Sequence, residues 1–202
     1  MPLKHWKIVL VLGIGLLILS YFYLDQPIAL YFQNLSPSWR ALCDSIAAIA
    51  SPWWHILLWL ALYYFLRFPL QLVTIARKTM LIAISINVAS VFSSILKNFL
   101  GRARPELFFS QNFYGFHLFS FSDTDYMSFP SGHAVTITAI MASLACFYPR
   151  LSSFFLLFAL GISFCRIVVD AHYLSDLIGG MLLGLLVAHF VYLSMRKEIK
   201  FD

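Results

Sequence analysis

The sequence predicts an all-α integral membrane protein: a six-transmembrane-helix bundle with an interfacial helix between spans one and two. Three observations predict it. The 202 residues are 61% hydrophobic and only 11% charged, with mean hydropathy +0.82, whereas soluble domains carry about 25% charged residues. The apolar residues fall into runs near the roughly 17–25 residues that cross a bilayer as a helix. Aromatics make up 17% of the chain, and Trp and Tyr sit near the ends of those runs, as interfacial anchors do.

The spans are read in order at about 6–24, 48–66, 79–97, 132–148, 151–169 and 174–195 of one domain, 1–202. The first follows Lys4 and Lys7 like a signal peptide, but ends in Tyr21-Phe22-Tyr23-Leu24 without a small-residue cleavage site. It is expected to be retained. Between spans one and two, Trp39, Leu42, Ile46 and Ile49 recur at helical spacing opposite Arg40, Asp44 and Ser45, the pattern of a helix lying in the interface. The second span has Pro52 near its start, where a proline is tolerated only in a first turn. A polar side of span three (Ser85, Asn87, Ser90, Ser93, Ser94) predicts interhelical hydrogen bonds, and Gly180-x3-Gly184 predicts close packing of span six. The stretch from about 98 to 130 is a long loop.

Six spans put both termini on one side. That side carries nine of the fourteen basic residues: Lys4, Lys7, Arg67, Arg77, Lys78, Arg150, Arg196, Lys197 and Lys200. Arg40, Lys97, Arg102, Arg104 and Arg166 fall on the other, with seven of the nine acids. The positive-inside rule makes the termini cytoplasmic and turns the long loop to the periplasm or cell exterior, as in a bacterial inner membrane. The net charge of +5 is dispersed rather than striped, so nucleic acid is not an expected partner. Cys43, Cys146 and Cys165 are odd in number and far apart, which excludes a disulfide framework and suggests small buried hydrophobes.

The remaining polar residues form three clusters: Lys97 to Arg104-Pro105, Pro130-Ser131-Gly132-His133, and Arg166, His172 and Asp176. Alternation of spans brings all three to one face. Ionisable groups concentrated at a membrane boundary are costly and point to function. Were the helix to continue past span three, Lys97 and Arg104, seven apart, would share a face. Three cations without matching acid predict an anion, and guanidinium forks fit phosphate. Ser131 and Gly132 open a helix, whose N-terminus also attracts phosphate. His172 and Asp176, four apart at the start of span six, are expected to share a face and hydrogen-bond. A carboxylate that fixes one ring nitrogen leaves the other as nucleophile or base, and His133 arrives from another helix as a proton donor.

These residues resemble the three signature motifs of the type-2 phosphatidic acid phosphatase superfamily: Lys97-x6-Arg104-Pro105, Pro130-Ser-Gly-His133 and Arg166-x5-His172-x3-Asp176. The resemblance covers spans three to six. It implies a metal-independent lipid phosphatase without cofactor, working through a phosphohistidine. It further implies His172 as nucleophile, Asp176 as its partner, His133 as general acid, and Lys97, Arg104, Ser131, Gly132 and Arg166 as phosphate ligands. The family's third motif opens with serine where this chain has Cys165, a weak donor, so one phosphate contact is expected to weaken. Gly101-Arg102-Ala103-Arg104-Pro105 with Ser128-Phe129-Pro130-Ser131-Gly132-His133 also resembles members that dephosphorylate lipid A at its 1-position. Undecaprenyl pyrophosphate, phosphatidylglycerophosphate and phosphatidate remain open as substrates, and so does a phosphotransferase sharing the first half-reaction.

Plainer readings compete. Taken singly, each cation is a snorkelling residue, the reading adopted for Arg40 and Arg102. Asp170 is expected to pair with a loop cation, and His55 and His189 to be packing residues. His133, His172 and Asp176 form a possible metal set, disfavoured by the three cations around it. An anion transporter would place its charges near the midplane on broken helices, whereas these motifs lie at helix ends.

Overall fold

The computed structural model describes residues 6–121 and 123–197; of the basic residues used above, Lys4 and Lys200 lie outside them. The helices are α1 (Trp6–Leu19), joined through a π-helical turn (Ser20–Leu24) to α2 (Asp25–Gln33), then α3 (Pro37–Ala48), α4 (Pro52–Arg67) and α5 (Val73–Leu100). They continue with α6 (Pro105–Gln111), α7 (Gly132–Phe147), α8 (Ser152–Val168) and α9 (Leu174–Met195). Among the described residues there is no β-strand, only isolated bridges from Arg102 to Phe116 and Met127. Among the described residues, five helical stretches are long and apolar enough to cross a membrane: Trp6–Gln33, Pro37–Arg67, Val73–Leu100, Pro149–Val168 and Leu174–Met195. Where the fourth span was expected stands the shorter apolar helix Gly132–Phe147. This is an all-helical, multi-pass membrane protein.

Proline marks the starts of α3, α4 and α6, where its missing N–H costs nothing. The core lies between α5, α7 and α9, with Leu81, Ile86, Val135, Ile140 and Val187 packed together. The glycine pair predicted to pack closely does so. A Cβ at Gly180 would stand 2.7 Å from Ser131 O, and one at Gly184 2.6 Å from Val135 O, so only hydrogen lets α9 lie this close to α7. The polar side of α5 behaves differently from expectation. Ser143 Oγ reaches Ser85 Oγ at 3.4 Å between helices, but Asn87 Nδ2 donates to Ala83 O on its own helix at 2.8 Å. Ser90, Ser93 and Ser94 line a cavity instead. Of the cysteines only Cys165 is buried; Cys43 and Cys146 are half-buried.

Candidate active site

The first cluster is shaped by Gly101. The helix does not continue from Lys97 to Arg104: α5 stops at Leu100, and Gly101 takes a left-handed conformation (φ +57°). A Cβ there would lie 1.8 Å from His117 O, so glycine is required both for the turn and for the approach of the loop. Past it the chain runs extended. Ala103 N donates to Gly115 O (3.0 Å), Arg104 N to Asp125 O (2.9 Å) and Ser128 N to Arg102 O (3.0 Å), which folds the loop back over the end of α5. Lys97 and Arg104 meet through this turn, not through a shared helical face.

They meet at a cavity of about 510 Å³ whose walls include Lys97, Arg104, Gly132, His133, Arg166 and His172. Apolar walls are supplied by Pro52, Trp53 and Ile56 of α4 and Val135 of α7. Backbone carbonyls hold two cations in place: Lys97 Nζ donates to Met127 O (2.6 Å), and Arg104 donates to Thr124 O (2.8 Å) and Ala171 O (3.1 Å). Arg166 Nη1 pairs with Asp44 Oδ1 of α3 at 3.0 Å. Ser131 is buried at the start of α7 but is not on the cavity wall, and its hydroxyl has no hydrogen-bond partner among the described residues. Cys165 does not face the cavity either. Its thiol points to Gly161 O of its own helix at 3.6 Å, so the serine-to-cysteine departure leaves the cavity wall unchanged.

His172 is not on a helix. Tyr173 caps α9, and Asp176 at the third position closes a capping box, its Oδ2 accepting from Tyr173 N at 2.8 Å. The expected direct bond is also absent: His172 Nδ1 lies 3.8 Å from Asp176 Oδ2. Ser128 spans the gap, donating to Asp176 Oδ2 at 2.6 Å with its oxygen 3.4 Å from Nδ1. This fixes Nδ1 toward the protein and leaves Nε2 for the cavity. Burial, with Lys97 and Arg104 adding to it, lowers the His172 pKa to about 3, so the ring is neutral at pH 7.

Behind Asp176 lies what the sequence reading missed. Arg102 does not snorkel; it is 1% exposed and bonded to Asp176 Oδ1, while its Nη2 meets Asp25 Oδ2 at 2.6 Å. Ser175 donates to Asp25 from its backbone N (2.9 Å) and its hydroxyl (2.5 Å). The rings of Tyr21, Tyr114, Phe116 and Tyr173 surround the guanidinium at 4.7–5.7 Å. Nothing periodic in the sequence singles out Asp25, whose partner is 77 residues away. Asp170 does pair with a cation, at 2.9 Å, but the cation is Arg40 of α3 rather than a loop residue, so Arg40 is ion-paired and not a snorkelling residue. His55 is bonded to Ile49 O at 2.7 Å, a packing role as expected.

Comparison with known proteins identifies the family. Residues 78–200 match the PAP2 superfamily. The chain is 31% identical to the lipid A 1-phosphatase of Rhizobium johnstonii over 91% of its length and 78% of the relative's. It is 29% identical to that of Rhizobium etli over 91% and 82%. Its fold resembles the transmembrane PAP2-type phosphatidylglycerolphosphate phosphatase of Bacillus subtilis, with TM-score 0.64 at 20% identity over 98% of this chain and 97% of the other. The chain belongs to the PAP2 superfamily of membrane lipid phosphatases.

Proposed function

We propose that this lipid phosphatase hydrolyses a glycolipid phosphomonoester of the lipid A 1-phosphate type, without metal, at the outer face of the bacterial inner membrane. The observation that carries the chemistry is one cavity walled by Lys97, Arg104, Arg166, His133 and His172, with Asp176 held behind His172. His172 Nε2 attacks phosphorus, forming an N–P bond as the P–O bond to the lipid breaks. The electron pair leaves on the lipid oxygen, which takes a proton from His133. Water, losing a proton to His133, then cleaves the N–P bond and releases phosphate. The fixed cations and the α7 N-terminus at Gly132 stabilise the charge on the transferring phosphoryl group. Acyl chains stay in the bilayer beside Trp53 and Ile56.

Several finer points belong to this reading. The whole chain acts as one domain, α7 crosses as the fourth of six spans, α3 lies in the interface, and both termini are cytoplasmic. In support, Trp39 and Leu42 are exposed on α3 while Arg40 and Asp44 pair with the α8 end of the site. Lys78 lies over the rings of Phe147 and Tyr148, at the end of α7 opposite His133. The substrate choice is supported by the two rhizobial relatives, both lipid A 1-phosphatases. Thin-layer analysis of lipid A, undecaprenyl pyrophosphate, phosphatidylglycerophosphate and phosphatidate tests it. Selective loss of the lipid A 1-phosphate is expected; preference for any of the other three overturns the assignment, and phosphate passed to a second lipid marks a transferase.

A further inference from the structure

The buried group behind the site contains one guanidinium and two carboxylates. Asp25 and Asp176 are each 0% exposed at the side chain and both are bonded to Arg102. A purely structural ion pair needs one partner per charge, and an extra buried carboxylate costs several kcal/mol unless something compensates it. The three side chains carry a formal charge of −1, and apart from Arg102 the polar groups on Asp25 (Ser175 N and Oγ, and the Tyr114 hydroxyl, which it shares with Tyr21 O) are neutral. That formal negative charge faces His172 through Asp176 and Ser128, with Lys97 and Arg104 across the ring on the cavity side.

We propose that Asp25 and Arg102 are positioning residues for phosphoryl transfer: they act through Asp176 to keep one uncompensated negative charge behind His172, which the ring's positive charge balances once Nε2 bonds to phosphorus. The inference rests on the reading of His172 as nucleophile. When neutral His172, protonated at Nδ1, forms the N–P bond, its ring becomes a cation. Lys97 and Arg104 on the cavity side oppose that charge. Asp25 divides Arg102 between two carboxylates, so Asp176 is not neutralised and remains available to the imidazolium. Tyr21, Tyr114, Phe116 and Tyr173 exclude water from the guanidinium, which keeps the effect from being screened. Asp25 lies outside the 78–200 stretch that matches the family, so the N-terminal helix pair supplies a group on which the motif residues depend.

The test is Asp25→Asn, which keeps shape and removes charge, in the full chain in detergent. Phosphoenzyme formation, trapped by alkaline quench, and kcat are expected to fall about tenfold, the equivalent of one pKa unit on the ring. KM, the inhibition constant of inorganic phosphate and the unfolding temperature are expected to hold. Asp25→Asn combined with Arg102→Gln restores the −1 total and is expected to form phosphoenzyme faster than Asp25→Asn alone. An unchanged rate in Asp25→Asn overturns the proposal, as does a slowing matched by loss of phosphate affinity or of folding. A folded double variant slower than the single one also overturns it. His172→Ala, run alongside, separates the two levels: if it still turns over, the nucleophile assignment fails and this inference with it, whereas an inactive His172→Ala beside a wild-type-like Asp25→Asn refutes the inference alone.

Discussion

Two groups of charges meet at His172 and are built on opposite plans. Behind it, Asp25, Arg102 and Asp176 are buried, and every carboxylate oxygen has donors. In front, Lys97, Arg104 and Arg166 line a cavity, held mostly by carbonyls and by Asp44, whose own side chain is 70% exposed. The rear carboxylates are all hydrogen-bonded without a ligand; the front group has cationic capacity left over. Rear residues should therefore govern the barrier, with Arg102, the cation between two buried carboxylates, also governing folding, and front residues binding and leaving-group chemistry.

The sharpest break in that comparison is at the residue between the groups. His172→Ala should lose all turnover while keeping its unfolding temperature, as measured by calorimetry and phosphate release from lipid. A folded variant that keeps activity would remove the dividing point. In front, His133→Ala should cost about 10²–10⁴-fold on a lipid phosphate, the usual scale of general acid catalysis. The loss should be much smaller on p-nitrophenyl phosphate, whose leaving group needs no proton. Equal losses on the two substrates would show that His133 does not protonate the leaving oxygen.

At the rear, Arg102→Met should cost about 3–5 kcal/mol of stability, because it leaves two buried carboxylates without their cation. Thermal unfolding across detergent conditions measures this; a cost like that of a surface residue would make the rear group incidental. The smallest effect concerns Asp170, at the rim. Burial pushes its carboxyl up to about 6, outweighing Arg40. The folded state thus binds this proton more tightly than the unfolded one, so Asp170 favours folding below about pH 4 and that contribution is lost as pH rises through about 6. Asp170→Asn should flatten this part of the stability curve between pH 4 and 7, and an unchanged slope would mean that Arg40 compensates fully.

The front group was legible in the sequence because its residues come as short motifs at the ends of apolar runs. Alternation of spans is enough to bring such motifs together. Its local geometry was less legible. Continuing the helix past Lys97 overlooked that Gly101 is a C-terminal stop signal, and reading His172 on a helix overlooked that Asp176 caps that helix. The rear group was hidden for a different reason. A single Asp25 at the end of an apolar run and an arginine beside the motif each have an ordinary interfacial explanation. Only the fold of the 101–128 segment over α5, with α2 alongside, takes both out of water. Pairing across 77 residues has no period to betray it.

The shortness of α7 has a consequence for where a lipid is met. Its 16 residues give a rod of about 24 Å at 1.5 Å per residue, against about 30 Å of hydrocarbon. On the proposed six-span reading, with Lys78 over Phe147 and Tyr148 marking the cytoplasmic interface, the His133 end of α7 would stop short of the opposite hydrocarbon boundary. Its neighbour α5, with 28 residues, is long enough at about 42 Å to cross the whole hydrocarbon layer. On that reading the floor of the cavity lies at or just below headgroup level, so a phosphate anchored by acyl chains would reach His172 without leaving the leaflet.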